Sequence, residues 1–168
     1  MIETNHVNTA SHMTVVVGVD LSDVSEHVLA MARGLVRSID DAQLHVVHVV
    51  QPQPLQHLAA GATRATDAAV LAHAEAAHRR LELYCESSVP HRGERVVLHT
   101  PVGQPAEELT RIARETAADI IVVEVHDHPP RVFHHSVVAR IARTAPCSVL
   151  AIRKSTRAGQ ESVAATSH

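Results

Sequence analysis

Aromatic residues are nearly absent from this chain of 168 residues, which has one Tyr, one Phe and no Trp. Proteins that bind single-stranded nucleic acids stack the bases on aromatic side chains. The formal net charge of −3 provides no attraction to a phosphate backbone either. These two absences exclude nucleic acid as the expected partner.

Cysteine is also scarce, since only Cys85 and Cys147 are present and they form no C-x-x-C pattern. This favours a reducing compartment over a disulfide-bonded scaffold. The chain has no run of about 18 apolar residues, so we predict no membrane-spanning segment. The first residues are polar and contain no apolar core of a secretion signal. We therefore expect a cytoplasmic protein.

Apolar residues make up 45% of the chain, and nearly all of them are Ala, Val, Leu or Ile. Strands of a parallel sheet are buried on both faces and appear in the sequence as aliphatic runs. We predict a β-strand in each of five such runs: Thr14–Val19, Gln43–Val50, Arg95–His99, Asp119–Val125 and Ser148–Arg153.

Helical patterns separate the five runs. The first helix is predicted to begin after an N-cap at Ser22 or Asp23. The others are predicted at about Thr66–Ser87, Ala106–Thr116 and Ser136–Arg143. Strands that alternate with helices indicate a single doubly wound α/β domain with a parallel sheet. The apolar stripe of the first helix is predicted to comprise Val24, Val28, Met31, Ala32, Leu35 and Val36.

The ends of the chain differ in composition from the rest. We predict that the domain occupies residues 13–153, with residues 1–12 forming a flexible N-terminal extension. Residues 154–168 are polar and are predicted to be a disordered tail.

Several segments, in collinear order, resemble the universal stress protein family. The first strand leads into Asp20 and Ser22, which match the D-x-S opening motif of the family. Further matches are LHVVHVV in the second strand, GQPAEEL at Gly103–Leu109, and SVVARIARTAPCSVLAIR at Ser136–Arg153. The resemblance implies a flavodoxin-like, adenine nucleotide alpha hydrolase-like sheet of order 3-2-1-4-5. It also implies a homodimer, often paired through the fifth strand, Ser148–Arg153.

Many members of this family bind ATP, and the resemblance implies where the ligand would lie. Doubly wound folds bind ligands where the strand order reverses, here beyond the ends of strands one and four. Asp20 would contact the nucleoside and Val49 the adenine, while Val123, Ser136 and Val137 would complete the nucleoside pocket. The phosphates would lie on a loop of pattern G-x-x-G-x9-G-[ST] after strand four.

The corresponding loop of this chain contains no glycine. The resemblance places Glu124, Asp127 and His135 at the three glycine positions, and only Ser136 matches the pattern. Carboxylates repel a triphosphate, and side chains at glycine positions block the approach of backbone N–H groups to an anion. We therefore expect that the chain does not bind ATP in the family's usual way and requires no cofactor. AMP or ATP in the remaining nucleoside pocket is the alternative.

The same loop is rich in groups that can bind metal ions. Glu124, His126, His128 and His135 are the candidate ligands, with Asp127 and His134 nearby. Zinc prefers three or four imidazole, thiolate or carboxylate ligands. However, the spacing matches no known metal motif, and a chain with 15 histidines contains such clusters by chance. A solvated polar loop is the competing interpretation of this segment.

Three hypotheses of function follow. The first is a non-enzymatic, homodimeric stress-response protein that regulates an unknown protein partner through direct contacts. The second is a sensor that binds AMP, ATP or a related nucleotide in the nucleoside pocket. The third is a metal-responsive protein that uses the loop at 124–135, and an enzyme such as a weak ATPase ranks last.

Overall fold

The computed structural model of the chain describes residues 12–37, 39–51, 63–86, 95–125 and 137–153. Strands and helices alternate along these residues. They are β1 (Thr14–Gly18), α1 (Asp23–Val36), β2 (Gln43–Val47), α2 (Thr63–Glu86), β3 (Arg95–His99), α3 (Pro105–Glu115), β4 (Ile120–Glu124), α4 (Val137–Thr144) and β5 (Ser148–Ile152). The predicted extension at residues 1–12, apart from His12, and the predicted tail at 154–168 lie outside the described residues.

The five strands form one parallel sheet of order β3-β2-β1-β4-β5, which confirms the predicted fold and strand order. The second strand ends earlier than predicted, at Val47. Beyond it the chain continues in an extended course, and Val50 forms an isolated parallel bridge with Val102. The strand ladder and this bridge together hold the end of β2 beside the start of α3.

The hydrophobic core has two halves, one on each face of the sheet. Right-handed crossovers place α1 and α2 on one face and α3 and α4 on the other. On the first face Val28 and Leu29 of α1 and Leu81 of α2 pack against the sheet. On the second face Leu109 of α3 and Ile141 of α4 do the same. The sheet is thus covered on both sides, as its aliphatic composition requires.

Helix α1 buries a stripe rotated from the predicted one. Val28, Ala32 and Val36 are buried as predicted, but Met31 is 46% exposed. Leu29 and Arg33 are buried in its place. The buried face extends toward α2: Leu29 lies in the same core cluster as Leu81 of α2, and the Nη2 atom of Arg33 donates a hydrogen bond of 3.4 Å to the backbone carbonyl of Cys85. The prediction was wrong here because the helical periodicity carries no information on this packing between α1 and α2.

Two neighbouring histidines lie on the α3 side of the sheet, on β2 and β3. His45 is 6% exposed, and its ring stacks on that of His99 with centroids 5.2 Å apart. Nδ1 of His45 lies 2.9 Å from Nε2 of His99, and Nε2 of His45 lies 3.4 Å from Oε1 of Gln43. One neutral arrangement satisfies both contacts: His45 donates from Nε2 to the amide oxygen and accepts at Nδ1 from His99.

The environment of this pair disfavours protonation. Burial lowers the pKa of His45, and the neighbouring His99 lowers it further. Burial also lowers the pKa of His99, as does Arg111, while Glu115 acts in the opposite direction. Between the lowered pKa values of the folded chain and the unfolded value of about 6.5, the unfolded chain therefore binds more protons at these positions than the folded chain does.

The pair predicts that the free energy of unfolding falls as the pH is lowered through 6.5. Because the folded pKa values lie below the unfolded ones, the stabilisation is complete above the unfolded pKa and is lost progressively on acidification. Substitution His99→Gln removes one titrating group but keeps hydrogen-bonding capacity toward His45. Urea denaturation between pH 5 and 7.5 should show a shallower loss of stability for His99→Gln than for the wild type. The control His27→Gln, at an exposed position of α1, should retain the wild-type slope, and equal slopes in all three proteins would refute the assignment.

Candidate functional site

A cavity of about 240 Å³ opens at the carboxyl ends of β1, β2 and β4. The sheet order reverses between β1 and β4, because α1 leads from β1 toward one edge while β4 lies toward the other. The two connections diverge at this point and leave a crevice, which is where doubly wound folds bind ligands. The cavity therefore lies at the position expected from the topology.

Most of the predicted nucleoside-pocket residues line this cavity. Asp20, Val49, Val123 and Val137 all contribute to its wall, and they come from four different segments of the fold. Ser136, the fifth predicted residue, lies outside the described residues. The fold thus brings together four residues that are far apart in the sequence.

The carboxylate of Asp20 is held by the start of α1. Its Oδ1 atom accepts hydrogen bonds from the hydroxyl of Ser25 over 2.6 Å and from the backbone N–H of Ser22 over 2.9 Å. The backbone N–H of Asp20 donates in turn to the Ser25 hydroxyl oxygen over 3.0 Å. Ser22 is also the N-cap of α1, and its side chain accepts from the Ser25 N–H. These bonds fix the orientation of the carboxyl group beside the cavity.

Leu21, between Asp20 and Ser22, has a left-handed backbone conformation with φ of 63°. This conformation costs a residue other than glycine roughly 1–2 kcal/mol. The Asp20 and Ser25 hydrogen bonds, together with packing of Leu21 against the core, offset that cost. Strain of this kind is concentrated at functional sites, where the surroundings determine the backbone.

His48 follows β2 and lines the cavity. Its Nδ1 lies 3.0 Å from the carbonyl oxygen of Val19, which can only accept, so Nδ1 carries the proton. In the neutral ring Nε2 is then an acceptor. The backbone N–H of His48 is held by the carbonyl of His99, at the end of β3.

Several lining residues were missed by the sequence analysis. The most informative is Ser25, which is 1% exposed and binds Asp20 directly. Its signal was present as a second serine in the pattern D-x-S-x-x-S that opens α1. Gly18 was also missed: a Cβ added there would lie 3.0 Å from Leu109, so the absence of a side chain lets α3 pack against the end of β1. The other missed wall residues are Val19, Val47, Gln51, Pro105 and Leu109.

The described wall of the cavity is acidic. Asp20 and Glu124 both line it, and none of the described lining residues is Lys or Arg. Burial raises the pKa of Tyr84, and the nearby ionisable groups of Glu26, Cys85, Asp20 and Glu124 raise it further.

The structure places only one of the predicted metal ligands. Glu124 ends β4 and lines the cavity, whereas His126, His128 and His135 lie outside the described residues, as does Asp127. Within the part of the chain that is described, no three His, Cys, Asp or Glu side chains converge as metal ligands would. A zinc site in the loop therefore stays a prediction.

None of the described helices combines the length and the apolar character needed to cross a bilayer. Neither cysteine forms a disulfide bond, and Cys85 is buried while Cys147 is half-buried. Burial raises the pKa of Cys147, and Asp119 raises it further, while a backbone hydrogen bond from Ile121 opposes both. This thiol is thereby kept protonated and poorly nucleophilic.

Comparison with known proteins identifies the family. The model of the universal stress protein family matches residues 12–153. A solved universal stress protein in complex with cAMP is 23% identical, with a TM-score of 0.60, over 84% of this chain and 96% of the other. The protein UspA from Lactobacillus plantarum is 21% identical, with a TM-score of 0.63, over 84% and 97%. The universal stress protein from Archaeoglobus fulgidus in complex with dAMP is 21% identical, with a TM-score of 0.50, over 83% and 96%. The chain belongs to the universal stress protein family.

Proposed function

We propose that this chain is a stress-response regulator whose cavity binds the nucleoside part of an adenine ligand, and that it does not bind ATP in the usual manner of the family. The observation that carries the proposal is the cavity itself. It lies where the strand order reverses, and its wall contains Asp20, Val49, Val123 and Val137. These polar and aliphatic groups suit a ribose and a purine base respectively.

The chemistry of the wall supports this ligand class. Asp20 is fixed by Ser22 and Ser25, so its carboxylate is preorganised to accept hydrogen bonds from ribose hydroxyls. Val49 and Val123 provide an apolar surface for the flat face of a base. Two of the similar solved structures carry cAMP and dAMP, which are adenine mononucleotides.

The composition of the site argues against a triphosphate. None of the described residues that line the cavity is Lys or Arg. The sequence between Glu124 and Ser136 contains no glycine that would bring backbone N–H groups close to phosphates. The proposal therefore restricts the ligand to a nucleoside or a mononucleotide.

We assign no catalytic reaction to the cavity. Its serine–carboxylate pair, Ser25 and Asp20, resembles an activated nucleophile in composition only. Ser25 is 1% exposed and both of its hydroxyl contacts belong to the turn that begins α1. The pair therefore supports a structural role, and ligand binding is proposed to act through the protein's contacts with a partner.

Homodimerisation through β5 is the second part of the proposal. Ser148 donates its N–H to Asp119, and the carbonyl of Ile152 accepts from Val125, so both residues bond toward β4. Alternate residues of a parallel strand bond in opposite directions. The backbone groups of Val149 and Ala151 therefore face the outer edge, where β5 has no neighbouring strand among the described residues. Such an edge is a template for pairing with a second chain.

The ligand proposal predicts saturable binding of adenosine or AMP in calorimetric titration, and much weaker binding of ATP. Substitution Asp20→Asn keeps an acceptor for Ser22 and Ser25 but removes the charge that accepts the ribose hydroxyls. We expect its affinity to fall at least about tenfold, since a hydrogen bond to a charged group contributes roughly 1.5–3 kcal/mol. The control Asp40→Asn, at an exposed position outside the cavity, should bind as the wild type does. Tight ATP binding, or no binding of any of the three ligands, would contradict the proposal.

The dimer proposal predicts that a charge on the edge of β5 weakens self-association. Ala151 is exposed, so Ala151→Asp should leave the fold intact while placing an unpaired carboxylate in the interface. We expect the dimer dissociation constant, measured by analytical ultracentrifugation, to rise at least about tenfold. Ala76→Asp, the same change on the exposed face of α2, is the matched control. A monomeric wild type, or equal effects of the two substitutions, would rule out this interface.

A further inference from the structure

His48 directly precedes Val49 and contributes a polar side chain to the cavity wall. The residue is half-buried and is held from two sides. Its Nδ1 atom donates to the carbonyl oxygen of Val19, just after β1, over 3.0 Å, and its backbone N–H donates to the carbonyl oxygen of His99 on β3 over 2.9 Å. These bonds connect His48 to both strands that flank β2, so the ring is oriented before any ligand binds.

The second ring nitrogen of His48 is available to a ligand. Because Nδ1 carries the proton, Nε2 of the neutral ring is a hydrogen-bond acceptor. Within the described part of the chain, Nε2 has no hydrogen-bond partner. The side chain therefore offers a ligand one acceptor and no donor.

The peptide group between Val19 and Asp20 fixes His48 relative to the Asp20 carboxylate. Its carbonyl accepts from His48, and its N–H donates to the hydroxyl oxygen of Ser25 over 3.0 Å. The two groups of a trans peptide point in opposite directions, so His48 and Ser25 approach this peptide from opposite sides. Ser25 in turn donates to the Asp20 carboxylate. A ligand whose ribose contacts Asp20 therefore extends its base toward β2, where His48 and Val49 lie.

The other polar side chains of the described wall are less suited to selecting a base. Glu124 ends β4, which β1 separates from β2. The amide of Gln51 carries both donors and an acceptor, so it can pair with either type of group on a base. His48 is thus the wall residue near Val49 whose hydrogen-bonding character distinguishes one base from another.

We propose that His48 is a specificity-determining residue of the cavity, and that its Nε2 atom accepts a hydrogen bond from the exocyclic amino group of an adenine base. This inference rests on the proposed function and adds which group of the ligand is recognised and by which side chain. A base that lacks this amino group leaves the acceptor without a partner when the ligand covers it, and an acceptor that is desolvated and unpaired weakens binding. The cavity therefore selects adenosine over purine riboside, which is the same nucleoside without the amino group.

The test is calorimetric titration of the full chain with adenosine and with purine riboside at about pH 8, where imidazole is neutral. The measured quantity is the ratio of the purine riboside dissociation constant to the adenosine dissociation constant. We expect a ratio of about five in the wild type, which corresponds to one hydrogen bond between neutral groups. His48→Asn keeps a donor near the position of Nδ1 and removes Nε2, so this variant should bind the two nucleosides equally. His73→Asn, the same change at an exposed position of α2, should keep the wild-type ratio.

A nitrogen NMR spectrum of the wild type with isotopically labelled histidine tests the same contact without a substitution. Saturation with adenosine should shift the resonance of one unprotonated imidazole nitrogen, because that nitrogen accepts a new hydrogen bond. Purine riboside should leave this resonance in place. A spectrum in which adenosine shifts no unprotonated nitrogen would contradict the inference.

The outcomes separate this inference from the proposal on which it rests. A preference for adenosine that His48→Asn loses and His73→Asn keeps supports both. Equal affinities in the wild type overturn the inference, while the cavity keeps its proposed ligand class. A preference that persists in His48→Asn assigns the amino group to another acceptor and also overturns the inference. If neither nucleoside saturates the protein, the proposed function fails and the inference fails with it. Circular dichroism of His48→Asn establishes that an altered ratio comes from a folded protein.

Discussion

The handedness of the crossovers between parallel strands determines most of this structure. Because each crossover is right-handed, the change of direction after β3 sends α3 and α4 to the face opposite α1 and α2. The same change leaves the ends of β1 and β4 without a connection across them, and the cavity opens there. The right-handed crossovers therefore account both for the burial of the sheet on its two faces and for the position of the cavity.

Sequence reasoning predicted the strands because a sheet buried on both faces has a distinctive composition, as in Val15–Val17 and Ile121–Val123. The strand order was predicted from the family resemblance and not from the composition. The family resemblance assigned Asp20 and Val49 to the ends of strands, and both line the cavity there; their contact with a nucleoside stays a prediction. Sequence reasoning misjudged Met31 because α1 also packs toward α2, where Leu29 shares a core cluster with Leu81 and other residues far away in the chain. Contacts of that kind leave no periodic signal in the sequence.

The site itself was only partly predictable for a related reason. Ser25 was overlooked because its bond to Asp20 requires the left-handed turn at Leu21, and a leucine gives no indication of such a turn. Glu124 was assigned to a metal site from its neighbours in the sequence, and the structure shows that it also lines the cavity. The zinc hypothesis for His126, His128 and His135 stays a prediction, because no contact of these residues is described.

The histidine pair affects the order in which the strands unfold when the pH is lowered. His99 belongs to β3, which is an edge strand held on one side by β2, and His45 is its partner across that single ladder. The cavity depends on β1 and β4, at the centre of the sheet. Acidification therefore weakens the contact between β2 and the edge strand β3 first. As the pH is lowered, we expect the amide protons of β3 to exchange faster with solvent at a higher pH than that at which those of β1 lose protection. The edge strand β3 would unfold locally at a pH at which the central strands of the sheet are still folded.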